Sequence, residues 1–140
     1  MTELATVVDP GQLARLLDIT IDEAGPGRAE GSMRVEGNTQ TYGLLHGGAS
    51  CVLAETLASV AACHHFAARG GVAVGVDINA THHAAVRGGR VTGVAKALHL
   101  GRTLASYEVV ISDERGKRVC TARMTAAYRA IPVTATDTDR

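Results

Sequence analysis

The feature that most constrains the fold of this chain is one long segment without a helix breaker. It runs over residues 49–69, is rich in Ala and Leu, begins after Gly47 and Gly48, and stops at Gly70 and Gly71. At about 1.5 Å per residue, a helix of this length measures about 30 Å. Its apolar side chains surround almost the whole helix instead of forming one stripe, which predicts a helix enclosed by other structure.

The segments on either side of this helix predict β-strands: two lie before it, around the Gly-Pro-Gly turn at 25–27, and those at 72–78, 105–112 and 120–128 after it have a two-residue period. The predicted strands are 20–23, 28–35, 72–78, 90–100, 105–112 and 120–128. Residues 36–45 are polar and contain glycine, and residues 113–117 have the composition of a hairpin loop. Consecutive strands joined by short loops predict an antiparallel sheet that curls around one helix, an α+β fold.

The N-terminal region predicts a short amphipathic helix. Asp9 is a suitable N-cap and Pro10 a suitable first helical residue. Leu13, Leu16 and Leu17 follow at helical spacing, so the helix is expected to have one apolar face.

Length and charge limit the classes of function. The 140 residues suffice for about one domain. Residues 1–130 are expected to form it, and the polar residues 131–140 a flexible tail. Acidic and basic residues balance at 14 each, which excludes nucleic-acid-binding proteins that depend on a basic surface. Because the sheet covers only one side of its helix, a dimer is expected.

The cysteines and the apolar segments indicate a cytoplasmic protein. The chain has three cysteines, Cys51, Cys63 and Cys120, and no two of them are close in sequence. No disulfide framework is implied, so a reducing compartment is favoured. The N-terminus lacks the pattern of a secretory signal. The most apolar run, 49–63, is too short to span a bilayer and contains Glu55, so no membrane partner is expected.

Glu55 is a carboxylate inside a nearly all-apolar helix. Such a group is costly to bury unless it is paired, exposed or used in chemistry. It lies about two turns after Gly47. At Gly47 the helix begins, and the unpaired amides and the positive end of the helix dipole there suit an oxyanion. Ser59 lies one turn further along the same face, and His46 precedes the glycines. A solvated or ion-paired Glu55 is the alternative.

The histidines do not form a metal-binding pattern. His82 and His83 lie near the end of a strand, where neighbouring side chains point to opposite faces, whereas His64 and His65 lie about 100° apart around a helix. No H-x-x-x-H or C-x-x-C spacing occurs, so no metal is expected. The sequence also lacks the G-x-S-x-G motif of serine hydrolases and the glycine patterns of dinucleotide and phosphate loops.

Three stretches of the sequence resemble a known family. Residues 42–59 read YGLLHGGASCVLAETLAS. This stretch resembles the active-site segment of hot-dog thioesterases, in the 4-hydroxybenzoyl-CoA thioesterase branch that uses a helix glutamate. Residues 76–83 and 98–103 also look like that branch. The resemblance covers residues 44–128 and implies the hot-dog fold, a curved antiparallel sheet wrapped around one long central helix.

The resemblance also implies a role for each site residue. Glu55 would be the nucleophile or general base, and the Gly47 amide would polarise the thioester carbonyl with help from His46. Gln40 would orient the acyl group, and Ser59 would position a water molecule. The CoA channel would be lined by Gly75, His82, His83, Ala84, Ala85, His99, Leu100, Gly101, Arg102, Thr103 and Leu104. The site would lie across a dimer interface, in a dimer or a dimer of dimers.

The expected reaction is hydrolysis of an acyl-CoA or acyl-carrier thioester to a free acid and a thiol, with no cofactor other than the CoA of the substrate. Arg87, Arg90 and Arg102 are candidates for contacts with the CoA phosphates. Because the chain has no Trp and a single Phe, aryl and short or medium aliphatic acyl groups all stay open. The alternatives are a hot-dog hydratase or dehydratase that uses His46 and Glu55, and a non-catalytic acyl-CoA-binding domain.

Overall fold

The computed structural model describes residues 8–131 and has one antiparallel sheet around one long helix. The elements in chain order are α1 (Gln12–Leu16), β1 (Ile19–Ala24), β2 (Arg28–Arg34), α2 (Gly47–Ala67), β3 (Gly71–His82), β4 (Arg90–Leu100), β5 (Leu104–Ser112) and β6 (Arg118–Ala130). Neighbouring strands are antiparallel, in the order β1-β2-β4-β5-β6-β3. The α+β fold predicted from the periodicity is confirmed.

The helix α2 packs closely on the middle of the sheet. Leu57 is fully buried and lies against Gly31 of β2 and Gly93 of β4, which are direct partners in the sheet. A Cβ atom at either glycine would lie within 3.0 Å of a Leu57 methyl group. The two glycines therefore allow α2 to approach the strands that it packs against.

One line of α2 faces away from the sheet, as expected for a sheet that covers only one side of its helix. Glu55 is exposed, and Cys51, Ser59 and Cys63 are only partly buried. These four residues are spaced four apart and form one line along the helix. The sheet curves around the opposite face of α2 only, so this line stays open to the surface.

Strand β3 forms one edge of the sheet and contains a β-bulge. The register with β6 shifts between Gly75 and Asp77, so Val76 is the extra residue. The strand was predicted to alternate regularly from Val72 to Ile78. Instead, the bulge places Val72 and Val74 on the exposed face, whereas Ile78 packs against the core. The outer edge of β3 has no strand partner among the described residues.

The predicted start and apolar face of α1 are both wrong. The helix begins at Gln12, after Gly11, whose φ of 92° is not helical. The Asp9 carboxylate accepts the amide hydrogen of Gly11 at 2.8 Å, so it fixes the preceding turn instead of capping the helix. Leu13 and Leu16 are exposed, by 53% and 74%, because this short helix buries only Ala14.

The remaining boundaries agree with the predictions to within a few residues. The largest difference is in β3, which continues to His82. Strand β6 ends at Ala130, and the predicted tail lies outside the described residues except for Ile131. Within residues 8–131, no helix is both long and apolar enough to cross a membrane. The cytoplasmic location stays a prediction.

Candidate active site

The N-terminus of α2 presents one free backbone donor. His46 is the N-cap residue, and its Nδ1 accepts the amide hydrogen of Gly48 at 2.8 Å. In the neutral ring the proton then lies on Nε2, which can donate to a ligand. The amide of Gly47 has no acceptor within residues 8–131. This end of the helix therefore offers two donors at the positive end of the helix dipole.

The imidazole of His82 lies directly against Gly47. A Cβ atom at position 47 would be 2.8 Å from His82 Nε2, so only glycine fits here without displacement of the ring. His82 is the last residue of β3, and the sheet therefore brings this strand end to the start of α2. The contact leaves the backbone of Gly47 accessible to a bound carbonyl group.

A cavity of about 380 Å³ lies at this junction. Its walls include Gly47 and five other residues predicted for the site. These five residues are Gln40, His82, His83, Ala84 and Ala85. The sequence did not indicate the remaining lining residues, which are Leu44, Leu45, Ser50, Val86 and Val119. Most of them are ordinary apolar residues, so no local pattern distinguishes them from core.

Hydrogen bonds hold two of the lining residues in place. The Gln40 side-chain oxygen accepts from the amides of Tyr42 and Leu44, so its NH₂ group stays available to a ligand. The His83 ring shares a hydrogen bond of 2.9 Å with the Thr121 hydroxyl.

Glu55 lies in a second, smaller cavity of about 220 Å³. Ser59 lines the same cavity, together with Val60 and Cys63 of α2 and the segment Val8, Asp9 and Pro10. The exposed Glu55 carboxylate has no ion-pair partner in the described part of the chain. One of its oxygens lies 3.1 Å from the position that a Cβ atom at Gly75 would occupy. Gly75 thus leaves room for the carboxylate beside the edge strand.

Two groups near Glu55 were not predicted from the sequence. Burial, and then the charge of Glu55, raise the pKa of the Cys51 thiol. Cys51 is therefore a neutral thiol at neutral pH and not a thiolate nucleophile. The Gly11 amide and Arg15 lower the pKa of the Asp9 carboxyl, so it is ionised there. The position of Cys51, four residues before Glu55, is the signal that could have identified it.

The described chain separates residues that were expected to act on one carbonyl group. Gly47 and Glu55 are eight residues apart on α2, about 12 Å along its axis. They line different cavities. Within one described chain, the free amide of Gly47 and the Glu55 carboxylate therefore do not meet at a single cavity, and the expected site across a dimer interface stays a prediction.

The remaining predicted residues, His99 to Leu104, line neither cavity. They form the end of β4, the β4–β5 loop (residues 101–103) and the start of β5. Among the arginine candidates, Arg90 binds Asp18 at 2.6 Å and also Ser32, so it is committed to a structural network. Arg87 is exposed. No group of three or more metal-ligating side chains lies together within the described residues.

Known proteins share these features of sequence and fold. The family model described as the thioesterase superfamily matches residues 42–120. The chain is 44% identical over 127 residues to the proofreading thioesterase EntH of Cronobacter turicensis, which covers 89% of this chain and 91% of that protein. It is 41% identical to 1,4-dihydroxy-2-naphthoyl-CoA hydrolase of Escherichia coli, over 89% of this chain and 92% of that protein.

A solved structure shows the same architecture. A crystal structure of a glutamine-to-alanine variant of a thioesterase from Pseudomonas aeruginosa matches with a TM-score of 0.81 and 39% sequence identity. The match covers 86% of this chain and 87% of that one.

Proposed function

The chain belongs to the thioesterase superfamily and is a thioesterase of the hot-dog fold, and from this premise we propose that it hydrolyses acyl-CoA esters with Glu55 as the reacting carboxylate. The products are a free acid and CoA. An aromatic acyl group is favoured, because a relative with 41% identity is named as the hydrolase of an aromatic acyl-CoA. Short and medium aliphatic acyl-CoA esters and carrier-protein thioesters are the competing substrates.

The observation that carries this proposal is the environment of Glu55. Its carboxylate is exposed on the open line of α2, next to Gly75, and no arginine, lysine or histidine within residues 8–131 forms an ion pair with it. The ion-paired alternative is thereby excluded for this part of the chain, and the activity of a Glu55 variant separates catalysis from a merely solvated side chain. An unpaired carboxylate on a largely apolar helix is suited to nucleophilic or general-base catalysis.

The proposed reaction uses the donors at the start of α2. The thioester carbonyl oxygen accepts from the Gly47 amide and from His46 Nε2, which stabilise the oxyanion as the carbonyl carbon becomes tetrahedral. Either Glu55 attacks that carbon and the resulting anhydride is hydrolysed, or Glu55 takes a proton from an attacking water. In both cases the C–S bond breaks and one water molecule is consumed. The water supplies the OH group of the acid and the proton of the thiol. Ser59 would hold that water.

The separation of Gly47 from Glu55 supports a dimer in which each site uses two chains. One chain provides the Gly47 amide and the other provides Glu55. Two copies related by a two-fold axis can pair their β3 edges antiparallel, which sets the two α2 helices side by side and antiparallel. The N-terminal half of one helix then faces Glu55 of the other. A further dimer of dimers stays a prediction.

The chemistry of the β3 edge also supports this pairing. The strand has 12 residues, and its exposed side chains include Val72, Val74 and Val76. A long, apolar edge without charged residues at these positions is a template for another strand. Pairing would satisfy the free backbone groups of β3 and cover the open line of α2.

Thiol release tests the function and the role of Glu55 together. Purified protein is incubated with benzoyl-, hydroxybenzoyl-, short-chain and medium-chain acyl-CoA esters, and free thiol is followed with a disulfide reporter. We expect release by the wild type and a loss of kcat of about 10²–10⁴-fold in Glu55→Gln, because the isosteric amide is neither a base nor a nucleophile.

Glu36→Gln is the matched control, since Glu36 is an exposed loop glutamate whose side chain makes no hydrogen bond to another described residue. It should retain the activity of the wild type. If Glu55→Gln keeps kcat within threefold of the wild type, the assigned role of Glu55 is wrong. If the wild type binds acyl-CoA but releases no thiol from any ester, the proposed substrate class is wrong.

A further inference from the structure

Three successive peptide carbonyls of the β4–β5 loop accept hydrogen bonds from the body of the protein. One donor is a side chain in the last turn of α2, the second is a side chain two residues after the helix ends, and the third is a backbone amide of β6. The donors to the carbonyls of Gly101, Arg102 and Thr103 are, in that order, His65 Nε2 at 2.7 Å, the Arg69 guanidinium and the Tyr128 amide at 2.8 Å. Each peptide unit of the loop is thus held from the inner side.

The direction of these carbonyls determines where the loop amides point. In a trans peptide the carbonyl and the following N–H point in opposite directions, and the described chain has no cis peptide bond. Inward carbonyls at Gly101 and Arg102 therefore turn the amides of Arg102 and Thr103 outward. Neither amide has an acceptor within residues 8–131. Two successive outward amides are donors of the kind that anion-binding loops use, and the exposed Arg102 side chain adds a positive charge to the same loop.

Close packing keeps the loop in this conformation. The Gly101 amide donates to the Leu104 carbonyl at 2.8 Å and closes the turn. A Cβ atom at position 101 would lie 2.6 Å from both His99 Nε2 and the Leu104 carbonyl oxygen, so only glycine fits. The half-buried His65 ring lies next to Phe66, with their centroids 4.9 Å apart. The donor to Gly101 is itself held in place.

We propose that His65 is a positioning residue for the phosphate-bearing end of CoA. By holding the Gly101 carbonyl inward, it directs the amides of Arg102 and Thr103 towards a phosphate group, and Arg69 supports the next peptide in the same way. This inference rests on the proposed function, in which the substrate is an acyl-CoA ester. His65 acts on binding through the loop, far from the bond that breaks, so its removal affects KM and leaves kcat unchanged.

The test compares His65→Ala with two matched variants. In His65→Gln the amide nitrogen takes the place of Nε2 and can donate to the same carbonyl. In His64→Ala an adjacent, similarly buried imidazole is removed, and His64 makes no hydrogen bond to the described residues. KM and kcat are measured with an acyl-CoA and with the matching acyl-pantetheine thioester, which lacks the nucleotide. The dissociation constant of adenosine 3′,5′-bisphosphate is measured by calorimetry.

We expect His65→Ala to raise the acyl-CoA KM and the nucleotide dissociation constant about fivefold, because one hydrogen bond worth about 1 kcal/mol is lost. Its kcat and its KM for the pantetheine thioester should not change. His65→Gln and His64→Ala should stay within twofold of the wild type.

Three results would overturn the proposal: unchanged constants in His65→Ala, an equal rise in KM for both thioesters, or failure of Gln to substitute. Loss of the proposed function is a different result, in which the wild type releases no thiol from any acyl-CoA. In that case the role of His65 is tested only by the dissociation constant of adenosine 3′,5′-bisphosphate. Weaker binding by His65→Ala supports the positioning role, and no binding by the wild type ends it.

Discussion

The absence of a side chain at Gly75 leaves space for the Glu55 carboxylate on the open line of α2. At Gly75 a hydrogen atom stands where any other residue has a Cβ, and the Glu55 carboxylate occupies the adjacent space at 3.1 Å. The other close neighbour of that position is the end of the Met124 side chain, at 3.9 Å. A side chain at this position would therefore disturb the Glu55 carboxylate more than the packing of the sheet.

Gly75→Ala should lower kcat while the protein stays folded. The added methyl group would lie 3.1 Å from a Glu55 carboxylate oxygen, so the carboxylate has to shift by a few tenths of an ångström. The loss of kcat should therefore be smaller than the hundredfold cost of a shift of about 1 Å in a catalytic group. Thiol release and circular dichroism check the two parts of this expectation. Gly27→Ala is the control, since nothing lies within 4 Å of its Cβ position. Equal activity of the two variants would contradict the contact between Glu55 and Gly75.

Two elements, α2 and β3, carry most of the candidate site. The helix provides a free amide at its first residue, Gly47, and a carboxylate two turns later. The strand ends at His82, which lies against that first residue, and its bulge turns Val72 and Val74 away from the core. One edge strand therefore supports the start of the helix and also presents a surface that a second copy can cover.

Val74→Lys should weaken self-association and activity together. A lysine on an open strand edge opposes pairing with another strand, and each proposed site needs two chains. Sedimentation velocity and thiol release, measured over the same concentration range, check this expectation. Leu98→Lys is the control, because Leu98 is equally exposed but lies on β4, which has a partner on both sides. A fully active monomer of either variant would contradict the shared site.

At the scale of the whole molecule, polar contacts between residues far apart in sequence connect the strands on the β1 side of the sheet. Arg90, at the start of β4, binds Asp18 before β1 and Ser32 of β2. The hydrogen bond from Arg90 lowers the pKa of the Asp18 carboxyl below its ordinary value of 3.8. The buried Tyr107 hydroxyl donates to the Pro26 carbonyl at 2.7 Å, and burial raises the pKa of Tyr107 to about 12.

The contribution of Asp18 to stability should depend on pH. Since its pKa is lower in the folded state, the contribution is complete above pH about 4 and is lost as the pH falls through the folded value. Asp18→Asn should therefore lower the Tm at neutral pH, and the difference should shrink towards zero in acid. Asparagine tolerates the φ of 58° at this position, so the variant mainly removes the charge. Thermal unfolding from pH 7 to pH 3 checks this, and a constant difference would contradict it.

Local patterns predicted the elements and identified Glu55 as the candidate carboxylate. The breaker-free run predicted α2 to within two residues at each end, and the two-residue period predicted three of the six strands, because helix and strand repeats are local properties of a chain. Glu55 was conspicuous because it is charged in an apolar helix. The family and its thioesterase activity followed from the residues around it and are confirmed.

Only the tertiary structure decided how these parts meet. Sheet order, curvature and register depend on pairing between distant residues. The sequence therefore did not show which face of α2 stays open, that a bulge at Val76 reverses the side chains of β3, or that Gly47 and Glu55 line separate cavities. The same holds for His65, which looked like an isolated helix histidine. Its contact with Gly101, 36 residues away, exists only because the sheet folds the β4–β5 loop back onto the end of α2.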